Sequence, residues 1–348
     1  MNSGIAFGLA SAALFGVSTP LAKALVGSVP PLWLAALLYL GAGGGLSVVH
    51  LVRKARSADA AVALPRGDEW LWVAAAIVLG GVVGPVALMY GLTMTSGGTA
   101  SLLLNLEAVL TALVAWFSFR ENFDSRIALG MLAIVAGAAL LTTAPGEGSS
   151  SLLGPALVAL ACLCWALDNN LTRKAATSDA TVLAAVKGVA AGGVNAAMAT
   201  ALGLALPSGA AIAGAVTVGF LGYGVSLVLF ILALRHLGTA RAGAYFSVAP
   251  FFGAVVAVAL GQDALTPTLA MAAALMALGV WLHVSERHAH DHEHEPLAHT
   301  HSHSHDEHHR HEHAFAWTGD EPHVHEHVHN AWRHTHQHYP DAHHRHRH

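Results

Sequence analysis

Residues 99–121 read TASLLLNLEAVLTALVAWFSFRE, and this stretch decides the fold. It is long enough to cross a bilayer as a helix, because about 20 apolar residues rising 1.5 Å each span roughly 30 Å of hydrocarbon. One carboxylate, Glu107, lies near its middle, and aromatic and charged residues follow at its end. The stretch is therefore predicted to be a transmembrane helix with an acidic residue at depth.

The stretch has a second copy 142 residues later, at 241–263, which reads RAGAYFSVAPFFGAVVAVALGQD. The matched positions are Ala100 and Ala242, Asn105 and Ser247, Ala108 and Pro250, and Glu121 and Asp263. An earlier pair of stretches keeps a similar offset, 150 residues, with Phe15 matching Trp165. The sequence therefore indicates an internal duplication with half-repeats of roughly 140 residues, a period typical of doubled membrane folds.

Composition points to the same class. The chain is 54% hydrophobic and only 11% charged, with a mean hydropathy of +0.53, whereas soluble domains carry about 25% charged residues. Much of the charge lies after residue 284, where the sequence becomes polar. The chain is predicted to be a polytopic membrane protein with a polar tail, and not an enzyme.

Ten apolar spans are predicted, at 5–26, 31–52, 69–91, 98–119, 126–143, 152–172, 181–204, 212–234, 241–261 and 266–284. The predicted fold is all-α, with a five-helix repeat at 1–143, a second at 144–284 and a disordered tail at 285–348. Because five is odd, the second repeat must enter the membrane inverted relative to the first. Basic residues cluster in alternate loops, so both termini are expected to be cytoplasmic.

Three stretches resemble the EamA type of the drug/metabolite transporter superfamily. They are GLASAALFGVSTPLAKAL at 8–25, TASLLLNLEAVLTALVAWFSFREN at 99–122 and ACLCWALDNNLTRKA at 161–175, together with the ninth span, which carries Pro250. The resemblance covers residues 4–284. It implies a ten-helix carrier of the bacterial inner membrane that moves small organic solutes, commonly outward. The first repeat has Ala108 where the second has Pro250, so a kink-forming proline is expected in only one of the two.

Three charged residues within the spans are candidates for transport, because charges at depth are costly and tend to face a cavity or a partner. Glu107 is the candidate coupling residue; the alternative is a neutral acid that hydrogen-bonds between helices. Asp168 and Lys187 lie at similar depths in adjacent antiparallel spans. They are predicted to form an ion pair, which is either a gate or a static structural contact.

Other candidates for the translocation path are amides and one aromatic residue: Asn105, Asn169, Asn170, Asn195 and Tyr245. The amides are expected to bind solute or neighbouring helices, and the aromatic residue to line a pocket or to pack. Candidate gate or hinge residues are Pro20, Pro85 and Pro250. Glycines in the third, seventh and eighth spans are interpreted chiefly as sites of close helix packing.

The tail is rich in histidine: 23 of the 26 histidines lie at 288–348, in alternating runs. Neutral imidazole binds Zn²⁺, Ni²⁺, Cu²⁺ and Co²⁺, and alternation supplies many overlapping sets of ligands. The alternative is a solvated, pH-responsive tail whose metal binding is incidental. The predicted metal ligands are His288, His290, His292, His294, His299, His301, His303, His305, His323, His325, His327 and His329.

The leading functional hypothesis is a secondary transporter that exports a small organic metabolite and has a metal-binding regulatory tail. The sequence contains no phosphate-binding GxxxxGK[ST] motif, so a gradient rather than ATP is expected to drive transport. The alternatives are efflux of Ni²⁺, Zn²⁺ or Co²⁺ and a membrane metal sensor that does not transport. The expected partners are lipids, solute and divalent metal ions. No nucleic acid and no required cofactor are expected, and a homodimer is one alternative for the oligomeric state.

Overall fold

The computed structural model describes residues 3–56, 67, 69–119, 125–143, 152–172, 180–237 and 239–284, and four segments of the tail. The tail segments are 289–294, 297–303, 323–329 and 332–337, and there the backbone alone is described. Two compact units are present, Met1–Glu286 and Arg287–His348.

Every regular secondary-structure element in the described part of the first unit is a helix. Its α-helices are α1 Ser3–Val26, α2 Pro31–Arg56, α3 Glu69–Ala76, α4 Gly84–Met94, α5 Gly97–Leu103, α6 Leu106–Phe119, α7 Ser125–Thr143, α8 Leu153–Thr172, α9 Ala180–Ala201, α10 Gly209–Gly219, α11 Ser226–Leu237, α12 Thr239–Phe246, α13 Ala249–Ala259 and α14 Pro267–Val284. Two π-helical segments join consecutive helices. The first π segment, Ile77–Val83, connects α3 to α4, and the second, Phe220–Val225, connects α10 to α11.

Eight helical stretches in the described residues are long and apolar enough to cross a membrane. They correspond in order to the first eight predicted spans. At the ninth and tenth predicted spans, the structure has shorter apolar helices, Ala249–Ala259 and Pro267–Leu282. Large apolar side chains such as Leu71, Phe117 and Leu132 are more than 60% exposed, which suits a lipid-facing surface.

Two spans are broken at matching places. The Leu104–Asn105 turn separates α5 from α6, and the Ser247–Val248 turn separates α12 from α13, 143 residues later. The local causes differ. Asn105 Nδ2 donates a hydrogen bond to the Leu102 carbonyl at 2.9 Å, competing with the backbone for that acceptor. Pro250 lacks an N–H and cannot donate to the Phe246 carbonyl four residues earlier, and its ring would clash with that carbonyl in a continuous helix.

Close helix packing depends on glycine at two crossings. Where α2 meets α9, a Cβ added to Gly188 would lie 2.8 Å from the Gly43 Cα, so both positions require the absence of a side chain. Where α1 meets α13, a Cβ on Gly253 would lie 2.7 Å from the Gly16 carbonyl oxygen. The interpretation of Gly188 as a packing residue is confirmed, since small residues allow helix backbones in membranes to approach closely.

The tail unit contains four β-strands, β1 Ala289–His294, β2 Leu297–His303, β3 His323–His329 and β4 Trp332–Gln337. β1 pairs with β4 and β2 with β3, both antiparallel. The sequence predicts a disordered tail, whereas the backbone of these four segments is paired as strands. The alternation of histidine with Thr, Val and Ser has the two-residue period of a strand, and this signal favours pairing despite the low hydrophobicity.

Candidate functional site

The first π segment exposes two backbone carbonyls to side chains from three other helices. The Gly80 carbonyl accepts hydrogen bonds from Tyr39 Oη at 2.8 Å and Trp165 Nε1 at 2.9 Å. The Gly81 carbonyl accepts one from Asn195 Nδ2 at 3.0 Å. A π segment widens the helix and is frequently found at functional sites. Here it gathers α2, α8 and α9 around one point in the membrane-spanning unit.

An ion pair lies beside this point. Lys187 Nζ on α9 is 2.5 Å from Asp168 Oδ1 on α8, as the sequence predicts. Thr172 completes a triangle, since its Oγ1 donates to Asp168 Oδ1 at 2.9 Å and accepts from Lys187 Nζ at 3.1 Å. A Cβ added to Gly80 would overlap the Asp168 carboxylate, so this carboxylate packs directly on the first π segment.

Glu107, at the start of α6, is linked to α8 by a hydrogen bond from an amide side chain. Asn169 Nδ2 donates a hydrogen bond to Glu107 Oε1 at 2.9 Å. Asp168, the preceding residue on α8, is close enough for its charge to interact with that of Glu107. Lys187 is already paired with Asp168, and the described residues place no cation on Glu107. Among the described residues, this carboxylate therefore has no counterion, and it lies about 15 Å into its span from Gly97.

Aromatic rings connect this cluster to the second π segment. Tyr39 and Tyr223 have ring centroids 5.9 Å apart, and Tyr223 contacts Phe15 edge-on at 5.6 Å. Phe15 in turn contacts Phe246 at 5.3 Å. Tyr39 also lies close enough to interact electrostatically with Glu107. The rings and the polar groups therefore form one polar–aromatic cluster, which includes the Gly80 carbonyl of the first π segment and Tyr223 of the second.

Sequence reasoning missed Tyr39 and the backbone of the first π segment. It noted the glycines of that segment, but interpreted them chiefly as packing residues. An available signal is the pair Gly80–Gly81 placed shortly before Pro85, since adjacent glycines leave carbonyls accessible to side chains. Tyr39 itself has no distinguishing sequence signal beyond a hydroxyl in an apolar span.

Three other predicted site residues, Asn170, Asn105 and Tyr245, make their described contacts elsewhere in the helices. Asn170 Nδ2 donates to the Ala166 carbonyl of the same helix at 2.8 Å, and its side chain is buried. Asn105 belongs to the break between α5 and α6 and has a weak second contact with Met276 Sδ at 3.8 Å. Tyr245 packs against α1, where a Cβ on Gly8 would lie 3.0 Å from the Tyr245 Cβ.

Two of the three predicted hinge prolines lie in the first turn of a helix that follows an irregular segment, and the third lies inside a helix. Pro85 is near the start of α4, directly after the first π segment, and Pro250 is near the start of α13. Pro20 is buried inside α1, and its carbonyl accepts a hydrogen bond from Gln262 Nε2 at 2.8 Å.

A second polar group lies at the helix ends near Pro20. Asp263 Oδ2 accepts hydrogen bonds from the backbone N–H groups of Gly98 at 2.7 Å and Thr99 at 3.1 Å, at the start of α5. Lys23 Nζ donates to the Leu92 carbonyl at the end of α4. Together with the Gln262 contact, these hydrogen bonds join the loop after α13 to α1 and α5, and α1 to α4.

Metal ligands are not grouped in the part of the chain whose side chains are described: no three His, Cys, Asp or Glu residues there are placed to hold a metal ion. Ten of the twelve predicted histidine ligands lie in the tail strands, where the backbone is described. His288 and His305 lie outside the described residues.

A family model for the EamA-like transporter family matches the chain twice, at residues 2–143 and 152–285. The chain belongs to the EamA-like transporter family. A curated relative from Methanothermobacter thermautotrophicus, named as an uncharacterized transporter, is 27% identical over 285 residues, covering 77% of this chain and 82% of the relative. A protein of known crystal structure has a TM-score of 0.59 at 21% identity, covering 81% of this chain and 96% of its own, which supports the fold.

The protein is therefore a multi-pass membrane transporter, and the family consists of transporters rather than enzymes. This confirms the resemblance stated from residues 8–25, 99–122 and 161–175. Within this transporter the polar–aromatic cluster is the candidate site, because it holds polar and charged groups at depth in the spans.

Proposed function

We propose that this transporter is a secondary carrier that exports a small organic metabolite, with Glu107 and Asn169 at the centre of its translocation site. The observation that supports this most directly is the Glu107 carboxylate, which contacts an amide on another helix and has no cation among the described residues. Intramembrane carboxylates of this kind mark substrate or proton pathways. The proposal requires no cofactor.

The solute that suits this site bears an amino group or another strong hydrogen-bond donor. Glu107 offers an anionic acceptor, and charge-assisted hydrogen bonds are the strong ones. The aromatic faces of Tyr39, Phe15 and Tyr223 lie in the same cluster, and such faces attract cations and bury apolar groups. A small amine with an apolar portion can therefore bind the carboxylate through its amino group and the aromatic rings through its apolar portion.

The transport mechanism we propose is a rocking of two inverted five-helix repeats, 1–143 and 144–284. Two matched irregularities support it. The first and second π segments begin 143 residues apart, and the breaks at Leu104–Asn105 and Ser247–Val248 keep the same offset. With this offset Glu107 corresponds to Pro250, so the coupling carboxylate belongs to one repeat only. In inverted-repeat carriers, broken helices surround the substrate site and permit alternating access.

We further propose a location in the bacterial inner membrane with both termini in the cytoplasm. The basic residues of the predicted inside loops support this orientation: Arg53, Lys54, Arg56, Arg66, Arg120, Arg126, Arg173, Lys174, Arg235 and Arg241. Reporters fused after Glu147 and Gly209 are expected to be external, and those fused after Ala60 and Ser178 cytoplasmic. A cytoplasmic reporter after Glu147 would exclude the inverted arrangement.

Transport itself is tested with the purified protein in liposomes loaded with a mixture of small amines, amino acids and neutral metabolites. Mass spectrometry of the external medium then follows efflux with an imposed proton gradient. We expect one class of amine-bearing solute to leave faster than from protein-free liposomes. A parallel sample loaded with Zn²⁺, Ni²⁺ or Co²⁺ tests metal efflux. Selective metal efflux, or no efflux above the protein-free control, would overturn the proposal.

A further inference from the structure

The tail strands pair histidine with histidine. In both ladders, every second register position of the paired segments is occupied largely by histidine on both strands. The directly opposite histidine pairs are His290 and His336, His292 and His334, His299 and His327, His301 and His325, and His303 and His323. The intervening positions hold other residue types, such as Thr300 opposite Glu326.

The two ladders share one register. Two residues separate β1 from β2 in the sequence, and two separate β3 from β4. The β1–β4 ladder therefore continues the register of the β2–β3 ladder without a change. Histidine alternates with other residues in both segments, so this register places histidine opposite histidine across segments separated by 19 residues between His303 and His323.

The geometry of an antiparallel ladder decides which histidines lie nearest to one another. Directly opposite residues occupy the same face, with Cβ atoms about 4.5–5.5 Å apart. Residues i and i+2 of one strand also share a face but are separated by about 6.6–6.8 Å. The opposite histidine is therefore closer than the next histidine along the strand. Chelation of one ion by two imidazoles is accordingly favoured across the ladder.

We propose that each cross-strand histidine pair in the tail is a binding unit for a divalent first-row cation of the Zn²⁺ class. Imidazole suits Zn²⁺, Ni²⁺ and Cu²⁺, and Zn²⁺ binds histidine nitrogen at about 2.0–2.1 Å. A pair supplies two nitrogen ligands, and water can supply the remaining ligands of the ion. Binding links β2 to β3 and β1 to β4, so metal also stabilises strand pairing.

This inference is independent of transport and is tested on the full-length protein in detergent by calorimetric titration with Zn²⁺ at neutral pH. His301→Ala is expected to remove one binding unit. Adding His325→Ala, the opposite member of the same pair, should remove nothing more. Combining His301→Ala with His292→Ala, which belongs to a different pair, should remove two units. This variant loses the same number of histidines as His301→Ala with His325→Ala.

The alternative is chelation along each strand. In that case His301→Ala with His325→Ala would damage sites on both strands and lose more metal than His301→Ala alone. That result, or no Zn²⁺ binding by the full-length protein, would overturn the proposal.

A second measurement tests the register without touching the histidines. Thr300→Cys with Glu326→Cys places two thiols at directly opposite positions of the intervening face, within the range for a disulfide. Thr300→Cys with Val328→Cys places them at diagonal positions, about 7–8 Å apart. The first pair should cross-link within one chain faster than the second. Equal or reversed rates would contradict the register on which the metal proposal depends.

Discussion

Lys187 Nζ on α9 lies 2.5 Å from Asp168 Oδ1 on α8, and both side chains are less than one-fifth exposed. A charge left alone at this depth is costly, because the membrane offers it no solvation. Removing one partner of a buried pair costs about 3–5 kcal/mol, largely through the charge that remains. The pair therefore predicts a strong dependence of each residue on the other.

Lys187→Met is expected to lower the stability of the protein in detergent by about 3 kcal/mol, since Asp168 then lacks its cation. Asp168→Asn combined with Lys187→Met should recover much of that loss. Thermal unfolding and the yield of folded protein measure both effects. Lys54→Met, at an exposed position near the end of α2, is the matched control and should be near neutral. A double variant no more stable than Lys187→Met would contradict the pairing.

Gly80→Ala is expected to reduce transport sharply and to destabilise the protein by about 1–3 kcal/mol, the range for overpacking. The added methyl group would overlap the Asp168 carboxylate and disturb the first π segment, whose carbonyl binds Tyr39 and Trp165. Gly193→Ala in α9 is the control, because an added Cβ meets nothing within 4 Å there. Equal effects of the two substitutions would show that the Gly80 contacts are dispensable.

Asp263 accepts hydrogen bonds from the backbone N–H groups of Gly98 and Thr99. Asp263→Ala is therefore expected to loosen the packing at the start of α5. Losing a carboxylate from a helix N-terminus costs about 0.5–2 kcal/mol. A cysteine at position 99 should then react faster with a water-soluble maleimide. Asp263→Asn keeps one acceptor oxygen and should retain most of the protection. Identical labelling rates in all three backgrounds would show that this contact does not hold the start of α5 in place.

Deletion of residues 288–348 is expected to abolish stoichiometric metal binding while leaving basal solute flux intact. The tail forms a compact unit separate from Met1–Glu286, and the described side chains of the helical unit hold no metal-ligand group. Calorimetry and liposome flux on the truncated and full-length proteins measure the two properties. Complete loss of flux on truncation would show that the tail takes part in transport itself.

The charged members of the candidate site could be predicted from the sequence because charge in an apolar span is conspicuous. Glu107, Asp168 and Lys187 stand out for this reason, and equal depth in neighbouring antiparallel spans predicted the ion pair. Tyr39 could not be predicted, because its role depends on a carbonyl freed by the first π segment. The Gly80–Gly81 pair before Pro85 indicates accessible carbonyls but does not specify which side chain from another helix will bind them.

The internal repeat was detectable from residues alone, but its local alignment was not. An offset of 142 places Ala108 opposite Pro250, whereas the matching helix breaks favour 143 and place Glu107 there. One-residue shifts of this kind arise where a helix is interrupted, and residue similarity is too weak to detect them. In the tail, composition predicts disorder, and the described backbone segments are paired as strands.

The role of Glu107 is the central claim, and gradient-driven flux through Glu107→Gln in liposomes tests it most directly. Glutamine keeps the size of the side chain and an acceptor for Asn169 Nδ2 but cannot change its protonation. We predict that the variant folds, loses flux driven by a proton gradient, and retains solute exchange in its absence with a lowered affinity for the amine, since the neutral amide replaces the anionic acceptor. Glu69→Gln, at the start of α3, is the matched control and should transport normally. Undiminished gradient-driven flux through Glu107→Gln would contradict the account and make this carboxylate a structural residue.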